Sequence, residues 1–351
     1  MGAERWGARL PVGSRGRRIP ILLVVVAVMA LLTGCSDRAG SSEAIGSGSD
    51  APTNRTRAED PGPPEVTAGP GDGLPAGRPG AGTPAFVLGT KDFSEQFLLG
   101  ELYTQALRAK GYSVALQQNV GASELIDTAF ASNQIQMYPE YLGEIATGLA
   151  PQLVDNTPLG IYRTASQFEQ TQRAATILKQ TPYQNIDVLV AERDFVDDHD
   201  VASIADLADI GPLRLAAQPS FRTRTNGLAG LEDVYGLSDV SFLAVSPDQT
   251  YEALDSGQVD VADAFSTDAQ LRSGDYVEID DPQHAFGYQY VAPVVKQETV
   301  RALGPEFAQT CNWVSSLLTV DAVRSMNEQV QLGGANEAEV ARQFLASEGL
   351  R

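Results

Sequence analysis

Cysteine and histidine are almost absent from this chain, with two residues of each among 351. His199 and His284 lie in polar segments and show no metal-ligand spacing. Catalytic signatures are missing too, since there is no Walker loop, Gly-x-Ser-x-Gly, His-Glu-x-x-His or Cys-x-x-Cys motif. Paired carboxylates such as Asp197/Asp198 occur in what we expect to be solvated loops. No feature of the sequence therefore asks for an enzyme, a metal or a cofactor.

Basic residues are also scarce, because 25 Lys and Arg face 45 Asp and Glu, for a net charge of −20. Residues 1–18 hold five Arg and one Glu, so the chain from residue 35 onward carries about −24. Nucleic-acid binding needs a basic surface that neutralises phosphates. The charge balance thus argues against a nucleic-acid partner and fits a soluble exported domain.

The first 35 residues have the pattern of an export signal. A basic segment precedes the apolar run Ile19–Leu32, which is too short to span a bilayer comfortably. Leu32-Thr33-Gly34-Cys35 closes that run and resembles a bacterial lipobox, which implies cleavage before Cys35 and lipid attachment to its sulfur. The other interpretation is an uncleaved membrane anchor with an incidental cysteine. We expect 1–34 to be a signal peptide and the protein to be extracytoplasmic and lipid-anchored.

Residues 35–84 are expected to be the lipidated cysteine and a disordered linker. Fifteen of the 34 positions in 51–84 are Gly or Pro, so the segment cannot bury enough apolar surface to offset the entropy of ordering. A flexible chain of this length reaches roughly 40 Å. If Cys35 is lipidated, Cys311 has no disulfide partner, and its apolar helical surroundings predict a buried free thiol.

From Ala85 onward, predicted strands and helices alternate at close spacing. Such a βαβαβ order is typical of a parallel sheet with right-handed crossovers. Ser94 is placed to cap the first helix, Gly111 to end it, and Pro139 to end the third strand. The predicted strands are Phe86–Leu88, Ser113–Gln118 and Ile135–Tyr138, and the helices are Glu95–Lys110, Glu124–Ala131 and Ile161–Gln180.

A second alternating unit begins near residue 187. Its predicted strands are Ile186–Ala191, Leu213–Ala217, Val240–Leu243 and Val259–Ala264, and its helices are Ser203–Ile210, Asn226–Tyr235 and Pro247–Ser256. A strand at Tyr290–Val295 then leads into helices near 299–318, 321–331 and 336–347, which we expect to cover the first unit. The fold class is therefore α/β with two lobes, 85–186 plus 290–351 and 187–289, and a ligand cleft between them.

Aromatic and charged side chains recur where predicted strands end. In the stretch Gln134–Thr147, a short apolar strand is followed by Tyr138, Glu140, Tyr141 and Glu144. Ligands of open α/β sheets bind outside the carboxyl ends of the strands. The tyrosines therefore either border a binding crevice or simply pack at the rim of a sheet.

Other residues of this kind fall at the predicted lobe-facing edges, namely Lys91, Tyr183, Asp187, Arg224, Phe265 and the segment 286–290. Rings from several loops, together with one or two cations, can form a cage for a quaternary ammonium that carries a carboxylate tail. For each residue alone a packing or surface role is the simpler explanation. Their joint placement favours a site.

Four motifs in order resemble the glycine betaine/choline/carnitine substrate-binding proteins of osmoprotectant ABC importers. They are Thr90-Lys-Asp-Phe-Ser-Glu-Gln96, Tyr138-Pro-Glu-Tyr-Leu-Gly-Glu144, Arg224-Thr-Asn-Gly-Leu-Ala-Gly-Leu231 and Phe265-Ser-Thr-Asp268. The similarity covers about 86–331. It implies a two-lobed fold of the type II periplasmic-binding-protein class that closes on a solute and does no chemistry. The implied partners are a quaternary-ammonium solute, the permease and ATPase subunits of the importer, and the membrane through the lipid anchor.

By this resemblance, Tyr141 is a cage wall, and Lys91 and Arg224 hold the carboxylate of the ligand. The chain also departs from the family. A second cage tyrosine falls on Asp187, for which nearby Tyr183 is a possible substitute, and a third falls on Phe265.

The fourth cage tyrosine falls near Tyr288, with Gln289 and Tyr290 as open alternatives for the residue that faces the cleft. A threonine that helps to bind the ligand carboxylate falls on Glu144.

These departures bear on the charge of the ligand. Lys91 and Arg224 favour a carboxylate, whereas Glu144 and Asp187 favour a cation, so we expect a nearly neutral site if all four point inward. If Arg224 instead pairs with Glu144, a cation such as choline gains. The choice among betaine, choline and carnitine stays open. The alternative class of function is an exported enzyme that acts on a small metabolite in the same cleft.

Overall fold

Residues 73–84, which were expected in the linker, form part of the first lobe. The computed structural model describes residues 73–150 and 155–350, so the expected signal peptide, Cys35 and the linker up to residue 72 lie outside the described residues. Leu74 packs against the first hydrophobic core. The Gly80 amide donates to the Lys110 carbonyl over 3.0 Å, and a Cβ at Gly80 would meet the Tyr112 ring at 2.4 Å. Residues 73–84 therefore belong to the first lobe and not to the expected linker.

Strands and helices alternate through most of the described chain, as the sequence pattern predicted. The strands are β1 (Phe86–Gly89), β2 (Val114–Gln117), β3 (Met137–Tyr141), β4 (Ala175–Ile177), β5 (Asp187–Glu192), β6 (Leu213–Ala217), β7 (Val240–Ala244), β8 (Val261–Phe265), β9 (Tyr276–Ile279) and β10 (Val291–Lys296). The helices are α1 (Ser94–Ala109), α2 (Ser123–Ala131), α3 (Pro158–Gln172), α4 (Arg193–His199), α5 (Ile204–Leu207), α6 (Leu228–Tyr235), α7 (Thr250–Asp255), α8 (Gln297–Leu303), α9 (Pro305–Leu317), α10 (Val320–Asn327) and α11 (Glu337–Ser347).

The strands form two five-stranded sheets, one in each lobe. The first has the order β2-β1-β3-β10-β4 and the second has the order β7-β6-β8-β5-β9. Strands β1, β2 and β3 are parallel, as are β6, β7 and β8, but β10 and β5 run antiparallel to their neighbours. The sheets are thus mixed rather than wholly parallel, because each crossover strand enters its sheet from the opposite end.

Strand β3 continues through Pro139, contrary to the expectation that proline would end it. Pro139 lies opposite Pro293 of β10. The Pro293 carbonyl accepts from the Leu178 amide over 2.9 Å, so the backbone polar groups of Pro293 face β4. The backbone polar groups of its cross-strand partner Pro139 therefore point toward β1. The ladder between β1 and β3 pairs Leu88 with Met137, two residues before Pro139. The missing N–H therefore costs no ladder bond.

Some element boundaries differ from the sequence prediction. The expected helix Ile161–Gln180 is α3 followed by the edge strand β4, which pairs with β10. Asp197 and Asp198 were expected in loops but belong to α4, as does His199 of the same polar segment. Ser94 does not cap α1, since Phe93 is the N-cap and no side chain caps the helix end.

The helices cover both faces of each sheet. The C-terminal helices return to the first lobe, as predicted, where Phe307, Cys311 and Val314 pack with Leu102 of α1 in one core. Cys311 is a buried free thiol, also as predicted. Burial of such apolar faces is the main favourable term in folding.

The lobes are joined by two chain crossovers and by hydrogen bonds from α10. The two crossovers lie side by side, with a β-bridge between Gln184 and Tyr290. In addition, Arg324 of α10 donates to the Ser266 carbonyl of lobe 2 over 2.6 Å, and Asn327 donates to the Thr267 carbonyl over 2.9 Å. Helix α10 thus contacts lobe 2 beside the two crossovers.

Candidate functional site

A cavity of about 600 Å³ lies between the two lobes. Its walls come from the segments that follow β1, β3, β6, β7 and β8, from both crossovers and from the end of α10. Ligand sites of α/β sheets are expected at these carboxyl ends. The volume lies within the range of small-molecule sites, about 300–1,000 Å³.

Aromatic rings from both lobes line the cavity. Phe93 and Tyr141 of the first lobe have nearly parallel rings whose centroids are 6.1 Å apart. Phe93 is 39 % exposed, whereas Tyr141 is buried. Phe265 lies at the end of β8, and Phe286 lies before the second crossover. Rings from two lobes can enclose a cation when the lobes close.

Glu95 gathers hydrogen bonds from several directions at the wall of the cavity. Its Oε1 accepts from the Tyr141 hydroxyl at 2.9 Å, the Tyr183 hydroxyl at 3.3 Å and the Asn185 amide at 3.1 Å. Its Oε2 accepts from the Asn327 amide at 3.2 Å. Burial and the Glu95 charge raise the pKa of Tyr141 well above its ordinary value, so its hydroxyl stays a donor. Glu95 thereby fixes the orientation of the Tyr141 ring.

Lys91 is held in a buried ion pair. Its Nζ lies 2.5 Å from Oε1 of Glu140, and the two side chains are 5 % and 0 % exposed. The ammonium is also 5.0 Å from the centroid of the Tyr141 ring. Burial raises the pKa of Glu140, and the charge of Lys91 opposes that rise. The positive charge expected to hold a ligand carboxylate is thus already neutralised.

Arg224 pairs with Asp187 rather than with Glu144. Its Nη2 lies 3.3 Å from both carboxylate oxygens of Asp187. Asp187 shares a further hydrogen bond with Asp263 on the adjacent strand, and burial followed by the charge of Asp187 raises the pKa of Asp263 to about 9. Asp263 is therefore protonated at neutral pH, and Asp187 is the charged partner of Arg224.

Glu144 faces the cavity from the first lobe, at the start of a π-helical turn. Its Oε2 accepts from the Ser123 hydroxyl over 3.1 Å, and its Oε1 accepts from the Gln289 amide over 3.4 Å. Both partners are neutral, so the negative charge of Glu144 is solvated but not balanced by them.

The sequence led us to expect a nearly neutral cavity. The described lining residues instead make it acidic. Two are basic, Lys91 and Arg224, and five are acidic, Asp92, Glu95, Glu144, Asp187 and Asp268. Burial raises the pKa of Asp268 to about 6, so this residue is mostly ionised at pH 7. The surplus of carboxylates attracts cations and repels anions.

Six of the eight ligand-binding residues expected from the sequence line this cavity, namely Lys91, Tyr141, Glu144, Asp187, Arg224 and Phe265. Tyr183 does not line it, because its buried ring lies behind Glu95. Tyr288 does not line it either; this ring contacts the His284 ring at a tilt of 34°, with centroids 4.9 Å apart, and borders a second cavity of about 280 Å³. Gln289, the alternative in that segment, does face the main cavity.

Sequence reasoning missed Phe93, Glu95 and Asn327 as lining residues, whereas Phe286 lies in the segment 286–290 that was expected at the cleft. Phe93 and Glu95 lie inside the motif 90–96, which was used only for Lys91. Their position between the end of β1 and the first turn of α1 was the signal that could have identified them. Asn327 gave no local signal, because it reaches the cavity through the packing of α10.

Among residues 73–150 and 155–350, no cluster of His, Cys, Asp and Glu could hold a metal ion. No helix in the same residues has the length and apolar character needed to cross a membrane.

Comparison with known proteins agrees with this architecture. The family described as the substrate-binding domain of ABC-type glycine betaine transport systems matches residues 85–347. The glycine betaine-binding protein YehZ of Escherichia coli K12 is 25 % identical over 75 % of this chain and 90 % of its own length. A glycine-betaine-binding protein of Pseudomonas aeruginosa is 26 % identical over 74 % of this chain and 86 % of its own.

A crystal structure titled glycine betaine/carnitine/choline ABC transporter superposes with a TM-score of 0.70 at 20 % identity, covering 76 % of this chain and 99 % of its own. That similarity shows a shared fold, the two-lobed type II periplasmic-binding-protein fold predicted above. Proteins of the matching family are extracytoplasmic solute-binding components of ABC importers, a family of binding proteins rather than of enzymes. The chain belongs to the family of substrate-binding domains of ABC-type glycine betaine transport systems.

Proposed function

We propose that this protein captures a quaternary-ammonium solute in the cleft and delivers it to the permease of an ABC importer. The observation that carries the proposal is the cavity itself, in which the rings of Phe93, Tyr141 and Phe265 lie beside several carboxylate side chains. A quaternary ammonium cannot donate a hydrogen bond, so ring faces and negative charge are the groups that can attract it. The names of the E. coli and P. aeruginosa relatives support the same class of solute.

Within this proposal, Tyr141 and Phe265 are cage walls, and Glu144 and Asp187 supply negative charge. Arg224 lies beside Asp187, where it meets the tail of the ligand. Lys91 acts through the Glu140 pair and the Tyr141 ring. Tyr183 contributes indirectly, because its hydroxyl helps to hold Glu95.

Lobe closure is the proposed binding step, with hinges near residues 187 and 290, where the chain crosses between the sheets. We further propose that the protein returns its solute chemically unchanged, as a binding protein does.

A thermal-shift screen of the purified protein tests this function. The panel contains glycine betaine, choline, carnitine, proline betaine, amino acids and sugars. A solute that binds only the folded state raises the melting temperature in a concentration-dependent way. Stabilisation by quaternary-ammonium compounds, with each solute recovered unchanged by mass spectrometry, supports the proposal. Stabilisation by sugars alone, or turnover of a solute, contradicts it.

We also propose lipid attachment at Cys35 after cleavage of residues 1–34. The support is sequence only, the short apolar run followed by Leu32-Thr33-Gly34-Cys35. Cys35→Ala should abolish labelling by a radioactive fatty acid and release the protein from the membrane fraction. Equal labelling of the variant and the wild type would show that the lipid is elsewhere or absent.

A further inference from the structure

Lys91, the first basic side chain of the cavity, already forms an ion pair within the protein. The Lys91 ammonium is 2.5 Å from the Glu140 carboxylate, and the residue is only 4 % exposed. A ligand carboxylate that used Lys91 would have to compete with Glu140, which is fully buried and has no access to solvent. Leaving such a carboxylate unpaired is strongly unfavourable. Lys91 therefore offers little net positive charge to a ligand.

The second basic side chain, Arg224, is neutralised in another way. Asp187 lies opposite its Nη2. Burial raises the pKa of Asp187, and the charge of Arg224 and a hydrogen bond from the protonated Asp263 oppose that rise. The guanidinium is 36 % exposed, and its Nε–H has no acceptor among the described residues. Arg224 can still donate to an oxygen atom, but the adjoining carboxylate cancels most of its attraction for an anion.

Three further carboxylates of the cavity, those of Glu95, Glu144 and Asp268, have neutral hydrogen-bond donors as partners. Glu95 accepts from hydroxyl and amide groups, and Glu144 accepts from Ser123 and Gln289. Asp268 accepts from the Tyr251 hydroxyl and the Phe265 amide. Neutral donors stabilise a carboxylate without removing its charge. A negatively charged ligand tail in this cavity would therefore face uncompensated like charge.

We propose that the cleft selects a singly charged quaternary-ammonium compound with a neutral tail over a zwitterion with a carboxylate tail. Asp187 sets this preference, because it neutralises the one basic side chain that could reach the tail. This inference rests on the proposed function and names the charge of the solute within it.

The direct test compares two ligands that differ only in tail charge. Glycine betaine and its primary amide have the same trimethylammonium group and nearly the same size, but the amide tail is neutral. In calorimetry on the wild-type protein, the amide should bind at least tenfold more tightly than glycine betaine. Equal or tighter binding of glycine betaine overturns the inference and leaves the proposed function standing. Binding of neither compound, nor of choline or carnitine, would instead refute the proposed function.

The role of Asp187 is tested with Asp187→Asn, which frees the charge of Arg224. The preference for the amide should fall at least tenfold, mainly through a gain in glycine betaine affinity. Asp263→Asn should keep the wild-type preference within threefold, because asparagine replaces a carboxyl that is already neutral and donating.

Asp260→Asn is the matched control, since it makes the same change in net charge by removing the partner of Arg214 away from the cavity. An equal fall in preference in Asp260→Asn and Asp187→Asn would show a general charge effect and overturn the role of Asp187. So would an unchanged preference in a folded Asp187→Asn protein. If that variant does not fold, the two-ligand comparison on the wild type still decides the charge of the solute.

Discussion

The two ion pairs in the walls of the cleft differ in depth and in closeness. Lys91 and Glu140 of lobe 1 are 2.5 Å apart, and their side chains are 5 % and 0 % exposed. Arg224 and Asp187 of lobe 2 are 3.3 Å apart, and their side chains are 36 % and 9 % exposed. Charges in a buried pair have lost their water and depend on each other, whereas an exposed guanidinium keeps a second partner in solvent. We infer that the first pair holds the wall in place and the second can respond to a ligand.

The largest effect should come from breaking the buried pair. Glu140→Gln leaves the Lys91 ammonium without its carboxylate in a nearly inaccessible site, which should cost about 3–5 kcal/mol of unfolding free energy. Urea denaturation measures this loss. Glu339→Gln removes the partner of Arg342 on the surface and should cause no measurable change. A cost below about 1 kcal/mol for Glu140→Gln, within the surface-pair range, would mean that Lys91 finds another partner easily.

The second effect concerns the proton beside the lobe 2 pair. Because the pKa of Asp263 is raised to about 9 in the folded state, the folded protein holds a proton that the unfolded chain releases near pH 4. Stability from this group is therefore present at low pH and declines as the pH rises toward 9.

Asp263→Asn removes that titration. Between pH 5 and 8, the wild type should lose more stability than Asp263→Asn does, by at most about 4 kcal/mol. Unfolding free energies at the two pH values for both proteins measure the difference. Parallel pH profiles would indicate that Asp263 is ionised in the folded state.

The third effect concerns ligand binding at the Tyr141 ring, which lies beside Lys91 in the wall of the cavity. Tyr141→Ala removes a ring face and should weaken binding of a quaternary ammonium by about 1–2 kcal/mol, measured by calorimetry. Tyr141→Phe keeps the ring and loses only the hydroxyl bond to Glu95, so its affinity should fall less. Unchanged affinity in a folded Tyr141→Ala protein would remove this residue from the site.

The smallest effect should come from the more exposed pair. Arg224→Gln removes a cation that is 36 % exposed and 3.3 Å from Asp187, and the Asp263 carboxyl can still donate a hydrogen bond to Asp187, so the cost in stability should be about 1 kcal/mol or less. Urea denaturation beside Glu140→Gln makes the comparison direct. Similar costs for the two variants would show that burial does not separate the two pairs.

Much of the fold could be predicted because local patterns carry it. The strand Leu213–Ala217 is observed with the predicted bounds, because a short, mostly apolar run bounded by turn-forming residues is typical of a buried strand. Gly111 follows the end of α1 with φ +89°, as we predicted because glycine adopts the left-handed conformation that often ends a helix. Strands β4 and β9 were missed, because short edge strands depend on their neighbours for hydrogen bonds and have little pattern of their own.

The candidate site could be predicted where topology alone places a residue. Lys91 follows β1, Tyr141 and Phe265 are the last residues of β3 and β8, and strand ends meet at the cleft. Tyr183 and Tyr288 were misplaced, because the direction of a side chain in a crossover depends on how the two crossovers pack together.

By itself, the sequence determined the acidic charge, the two alternating α/β units and the loops that border the cleft, because composition and periodicity are local properties of the chain. Only the tertiary structure decided which charges are available to a ligand. Lys91 meets Glu140, and Arg224 meets Asp187, across dozens of residues of chain. Such pairings follow from which strands lie side by side and how deeply each carboxylate is buried, and no local pattern encodes either.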